Sequence, residues 1–145
     1  MKFDNILVVC IGNICRSPTG ELMLRNLCPS KKVHSAGLGA LVDKPMDATA
    51  LELADEHGLD GKEHKARQLT RELAQEADLI LVMEQKHIKG VIQLAPEAGG
   101  KTFLFNKWAG NGEIPDPYRQ QRPAFEHVYS LMEQGAAGWA KVLSR

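Results

Sequence analysis

Four short apolar runs punctuate the chain, and between them apolar positions recur every three or four residues. Ile6-Leu7-Val8-Val9 and Leu79-Ile80-Leu81-Val82-Met83 are continuously apolar, the pattern of strands covered on both faces. Lys32-Val33-His34-Ser35-Ala36 and Thr102-Phe103-Leu104-Phe105 fit two further strands. After the first run, Ser17 reads as a helix N-cap with Pro18 at the first helical position. Leu22, Met23 and Leu27 give that helix an inward face, and it stops before Pro29. Asp47 caps a second helix that buries Ala50, Leu51 and Ala54, with Gly58 as its stop. Thr70 caps a short third helix, and a fourth runs from the Leu79 strand to about Leu94. Residues 106–122, broken by glycine and proline, read as a long loop. Pro123 opens a last helix with Phe125, Val128, Met132, Ala136, Trp139 and Val142 on one face.

Strands alternating with helices predict an α/β fold, a parallel sheet with right-handed crossovers, in a single domain over residues 1–145. In such sheets ligands sit beyond the carboxyl ends of the strands, so the segment after the first strand is where chemistry is expected.

Composition narrows the classes. The 145 residues carry 18 basic and 18 acidic side chains, a formal net charge of zero. That balance argues against a nucleic-acid or acidic-membrane binder, and any attraction for an anion must be local. No apolar run approaches the ~20 residues needed to span a bilayer. The N-terminus is a poor signal peptide, with Asp4 ahead of a short apolar run. Three cysteines, an odd number, make no disulfide framework and point to the reducing cytoplasm.

The segment after the first strand is Cys10-Ile11-Gly12-Asn13-Ile14-Cys15-Arg16-Ser17. Each residue has a task in holding a tetrahedral oxyanion. Five residues between cysteine and arginine let the loop curl so that successive backbone N–H groups face inward as an anion nest. The following helix adds its positive N-terminus. Gly12 accepts φ > 0 freely, and Asn13 tolerates the left-handed region. Arg16 can grip two oxygens at once. Cys10 sits where these dipoles favour a thiolate, a nucleophile toward bound phosphoryl groups. Ser17 is placed to hydrogen-bond the sulfur. A thiol acceptor also needs an acid for the leaving oxygen, and Ile114-Pro115-Asp116-Pro117-Tyr118 offers one, stiffened by proline on both sides.

Taken together, these residues resemble the low-molecular-weight protein tyrosine phosphatases, over essentially the whole chain. The resemblance lies in residues 9–18, in Asp116-Pro117-Tyr118, in Ser35-Ala36-Gly37 and in His64-Lys65-Ala66-Arg67-Gln68. Met83-Glu84-Gln85-Lys86-His87-Ile88, Leu104-Phe105 and the residues around Asp116 resemble the bacterial branch linked to capsule and exopolysaccharide production. It implies a four-stranded parallel sheet with helices on both faces and a phosphate-binding loop between the first strand and the first helix. It further implies Cys10 as nucleophile, Arg16 as phosphate ligand and Asp116 as general acid and then base. By the same resemblance Asn13, Ser17, Ser35 and His64 support the loop. Cys15 is implied as a redox partner for Cys10, while Ile11, Leu41 and Tyr118 line the entrance. No metal or other cofactor is implied. The implied substrate is a phosphotyrosine protein, a membrane-associated, autophosphorylating bacterial tyrosine kinase, met from the cytoplasm without insertion into the membrane.

Two other uses of such a loop stand beside this one: an arsenate reductase of the same fold and a catalytically inactive phosphate- or phosphopeptide-binding module. The first passes a disulfide along later cysteines, and none follows Cys28; the second is expected to lack the nucleophile or the acid, and both are present. With no net charge to attract ions from afar, turnover of small aryl phosphates is expected to change little between about 0.05 and 0.5 M salt, a roughly threefold change in Debye length; a steep fall would show a long-range field.

Overall fold

The two continuously apolar runs become the two inner strands of the sheet. The computed structural model describes residues 3–144. In it β1 (Asn5–Cys10) pairs in parallel with β2 (Lys32–Gly37) on one side and β3 (Leu79–Val82) on the other, and β4 (Thr102–Leu104) forms the far edge. The order is β2-β1-β3-β4. Ile6, Val8 and Cys10 enter one apolar cluster and Leu7 and Val9 another, so β1 is covered on both faces and needs no polar alternation. The first face carries α1 (Arg16–Leu27), α2 (Ala48–Glu56) and α5 (Arg122–Leu143). The second carries α3 (Arg71–Glu76), α4 (Gln85–Leu94) and a 3-10 turn, Pro96–Lys101, that the apolar pattern does not announce. The expected domain ends at residues 1 and 145, and the Met1-Lys2 start of the poor leader, lie outside the described residues.

Chain entry and exit follow local chemistry. The Asp47 carboxylate accepts the amides of Thr49 and Ala50, and the Thr70 hydroxyl accepts that of Leu73. Gly58 ends α2 at φ +76°, a conformation that suits a residue without Cβ. Successive chain segments leave β1 toward β2 and then toward β3 on the opposite side, so the carboxyl end of β1 is the switch point where α/β sheets bind ligands.

Two readings of α1 need correction. Ser17 does not cap the helix: Cys15 occupies the N-cap without a side-chain hydrogen bond, and Ser17 lies in the first turn with its hydroxyl turned to Cys10. Nor do Leu22 and Leu27 form the inward face. Leu27 is 48% exposed and Leu22 half-buried, while Met23 and Leu24 are buried. The reason is Gly20, which lies against the sheet and α5. A Cβ there would stand 2.9 Å from both the Met132 methyl and the Phe105 ring and 3.1 Å from Val8. The contact face of α1 combines Gly20 with Met23 and Leu24, and a glycine contact is one that counts of apolar side chains overlook. In α2 the buried leucine is likewise Leu53, with Leu51 half-buried.

α4 begins with a reciprocal cap. The His87 amide donates to the Glu84 carbonyl at 2.9 Å, and His87 Nδ1 accepts the Glu84 amide at 3.3 Å. Because Nδ1 accepts, the ring carries its proton on Nε2, which lies 3.5 Å from Glu84 Oε2. Burial first, and then the nearby Arg16 guanidinium, push His87 down to about 4.

Two outcomes are expected. Gly20→Leu forces a branched side chain into the helix–sheet contact, at a cost of about 1–3 kcal/mol from overpacking against about 1 kcal/mol of gained helix propensity. Its urea midpoint is therefore expected to fall at unchanged slope. His87 titrates in the unfolded chain at ~6.5, above its folded value. The unfolded state then binds more protons between the two values, so stability rises with pH from about 4 to about 6.5. Urea midpoints across that window should climb, and climb less in His87→Gln; an identical slope in the variant would assign the linkage to other groups.

Candidate active site

The loop after β1 turns its peptide groups inside out. The carbonyls of Cys10, Ile11, Gly12 and Ile14 accept the amides of Leu38, Gly39, Leu41 and Asp47, and that of Cys15 accepts Thr19. The Asn13 carbonyl accepts His64 Nε2 at 2.6 Å. Every carbonyl from residue 10 to 15 is thus satisfied from outside. Among the described residues the amides of Ile11 to Arg16 donate to no protein group, the arrangement that makes a backbone anion site. Gly37 permits the close approach of the next loop, since a Cβ there would collide with the Ile11 carbonyl.

Asn13, at φ 59°, is the residue that takes the left-handed turn, and Gly12 does not. The conformation costs an ordinary residue about 1–2 kcal/mol, and surrounding bonds hold it. Asn13 Nδ2 donates to Ser17 Oγ at 2.8 Å and to Ser35 Oγ at 3.0 Å, while Oδ1 accepts the Arg67 amide at 2.9 Å. Ser35 Oγ in turn donates to the Glu21 carboxylate. These bonds set proton direction: Ser17 receives from Asn13, so its own hydrogen is free for Cys10 Sγ, 2.9 Å away. Sequence reasoning named Asn13, Ser17, Ser35 and His64 as loop supports, and all four stand behind the loop, out of the cavity in front. It missed Glu21, which no motif distinguishes, and gave no role to Arg67, although that residue lies in the His64–Gln68 stretch.

Arg16 is 2% exposed. Its NH1 donates to Glu84 Oε2 at 2.6 Å and to the Ile114 carbonyl at 2.8 Å, and its NH2 lies 3.7 Å from Asp116 Oδ2. Burial acts to raise Glu84, but the hydrogen bond and charge of Arg16 overcome it and hold the carboxyl below the usual range. Glu84 is thus a counter-ion for the buried guanidinium, a role the sequence analysis did not give it although it lies in the 83–88 stretch. Its sequence signal is faint: an acid at the carboxyl end of an apolar strand, where the sheet binds ligands.

The long loop brings the remaining groups. Asp116 is 45% exposed at its side chain and accepts the Tyr118 amide at 3.0 Å. A cavity of about 150 Å³ in front of the loop is lined by Cys10, Ile11, Arg16, Leu41, Asp116 and Tyr118. Gly12, Ile14 and Cys15 line it as well, and Gly39 joins them without having been foreseen. The space suits a phosphoryl group with an aromatic ring at its mouth. Cys10, Cys15 and Cys28 are free and buried; burial, then the charge of Asp47, push the Cys15 thiol well above its ordinary value.

Known proteins resemble this chain over nearly its whole length. The low molecular weight protein-tyrosine-phosphatase Etp of Escherichia coli K12 is 54% identical, covering 100% of this chain and 98% of its own. Vibrio vulnificus Wzb, solved in complex with benzylphosphonate, superposes with a TM-score of 0.96 at 52% identity, covering 97% and 99% of the two chains. The tyrosine phosphatase Wzb of Escherichia coli K30, solved with sulphate, does so with a TM-score of 0.95 at 52% identity over 97% and 99%. Residues 5–145 match the family described as low molecular weight phosphotyrosine protein phosphatase, and the chain belongs to that family of enzymes.

Proposed function

We propose that this enzyme hydrolyses protein phosphotyrosine in two displacements through a cysteinyl-phosphate. The observation that carries the reading is the cavity in which Cys10, the inward amides and Asp116 converge. The phosphoryl group is held by the amides of residues 11–16 and by Arg16. The Cys10 thiolate attacks phosphorus, the S–P bond forms and the P–O bond to tyrosine breaks. Asp116 gives its proton to the departing phenolate oxygen. Asp116, now a carboxylate, takes a proton from water as the water attacks phosphorus. The S–P bond breaks, inorganic phosphate leaves, and the thiolate returns to the hydrogen bond of Ser17. The Tyr118 ring at the mouth offers a face for the substrate ring, with Ile11 and Leu41 opposite.

Cys15 beside Cys10 on the cavity wall supports the redox reading: a reversible disulfide between them would protect the nucleophile from over-oxidation. The resemblance to the capsule-associated branch, with the names of the relatives, supports a substrate in the phosphotyrosines of an autophosphorylating kinase of polysaccharide export. The encounter takes place in the cytoplasm; no helix among the described residues is long and apolar enough to cross a membrane.

With p-nitrophenyl phosphate, Cys10→Ser is expected to abolish turnover. Asp116→Ala should lower kcat by about 10²–10⁴ and flatten the acid-dependent part of its pH profile. Activity surviving the first substitution, or unmoved by the second, would overturn the mechanism. Release of phosphate from the autophosphorylated kinase of the same cell, against unrelated phosphopeptides, tests the substrate.

A further inference from the structure

A second, larger cleft of about 390 Å³ opens behind the loop, on the β2 edge of the sheet. Two arginines are planted there. Arg25 donates through Nε to the Val33 carbonyl and Arg67 through Nε to the Ser35 carbonyl, both at 2.9 Å. One strand residue, His34, separates these carbonyls, a spacing of two rises or roughly 6.6 Å. Both guanidiniums border the cleft, held by bonds that leave one terminal nitrogen on each with no partner among the described residues. Between them His34 accepts Arg67 at Nδ1 and bonds Asn5 through Nε2. Burial, then the charges of Arg67, Lys32 and Arg25, hold this ring below its ordinary value, and the free terminal nitrogens of the two arginines are the donors this end of the cleft offers an anion.

The cleft also has acids. Glu21 is already engaged by Arg25 and Ser35. Asp60 caps its own turn through one oxygen, and Glu63 makes no ion pair among the described residues. Met46 and Leu22 supply apolar wall. A volume of this size exceeds a bare oxyanion. An oxyanion for the arginines, a carbon body for Met46 and hydroxyl donors for Asp60 and Glu63 together describe a phosphorylated polyol.

We propose that this cleft is a second ligand site, for a small sugar phosphate, whose occupancy is felt by the phosphate-binding loop. The connection is short: His64 and Arg67, which border the cleft, make two of the bonds that hold Asn13 in its left-handed turn. A ligand that shifts either residue changes the support of the amides facing the other cavity. Cys10 lines the other cavity and is not among the residues that line this cleft, and the proposal involves no bond making or breaking.

The test titrates the full-length wild-type protein with glucose 1-phosphate, inorganic phosphate and glucose, followed by ¹H–¹⁵N spectra that include arginine Nε–H. Glucose 1-phosphate is expected to shift Arg25, Arg67 and Gly61 saturably and to move the Asn13 amide. At those resonances it should bind at least tenfold more tightly than inorganic phosphate, with no response to glucose. Arg25→Gln should abolish the cleft shifts while inorganic phosphate still moves the amides of residues 11–16, which shows that the variant is folded. Asp60→Asn should weaken glucose 1-phosphate and leave inorganic phosphate unchanged. In steady-state assays with p-nitrophenyl phosphate, glucose 1-phosphate should alter kcat. Shifts confined to residues 10–17, equal affinity for inorganic phosphate at the arginines, cleft shifts that persist in Arg25→Gln, or strictly competitive kinetics would each overturn the proposal.

Discussion

Everything at the carboxyl end of the sheet depends on the outward bonding of six consecutive carbonyls. A loop that points its amides inward must point its carbonyls outward, where each would be a buried acceptor without a partner, at about 1–3 kcal/mol apiece. The segment from Leu38 to Asp47, His64 and the first turn of α1 meet all six. The scaffold around the loop is therefore as much part of the anion site as the loop itself. That is why Asn13, the single left-handed residue among these six, is held by so many side chains.

The same logic explains the polar core behind the loop. Asn13, Ser17 and Ser35 are buried and polar, a costly combination unless every group is paired. Here pairing also gives direction, since the Glu21 carboxylate takes the Ser35 proton, Asn13 fills the acceptors of both serines, and Ser17 is left with one hydrogen to offer the sulfur. A chain of ordinary hydrogen bonds thus becomes a one-way arrangement.

Legibility in the sequence followed the range of the interaction. Strands β1 and β3 announced themselves because burial on both faces leaves only apolar residues. The caps Asp47 and Thr70 and the stop at Gly58 were visible because a cap acts within three residues. The loop from Cys10 to Ser17 and the stiffened Asp116 were legible because their chemistry is local in the chain. What escaped was carried by small side chains or by distance. Gly20 shapes a helix face by what it lacks, and of the two readings of Ser17 the bond to the sulfur holds while the cap fails, because the helix already starts at Arg16. Glu84 and Arg67 lie 68 and 54 residues from the groups they bond; both fall in stretches that carry the resemblance, but the stretches alone do not say which group each side chain meets.

The pairing of Arg16 with Glu84 bears on what happens after chemistry. An unpartnered guanidinium sunk beneath the loop would be a trap, gripping product as firmly as substrate, and such uniform binding does nothing for turnover. With its charge already answered by Glu84, Arg16 would offer a bound oxyanion its remaining donors more than raw attraction, beside the inward amides of the loop. Under the proposed reaction such a site would work as a turnstile, its counter-ion keeping the grip on departing phosphate from matching the grip on the transition state.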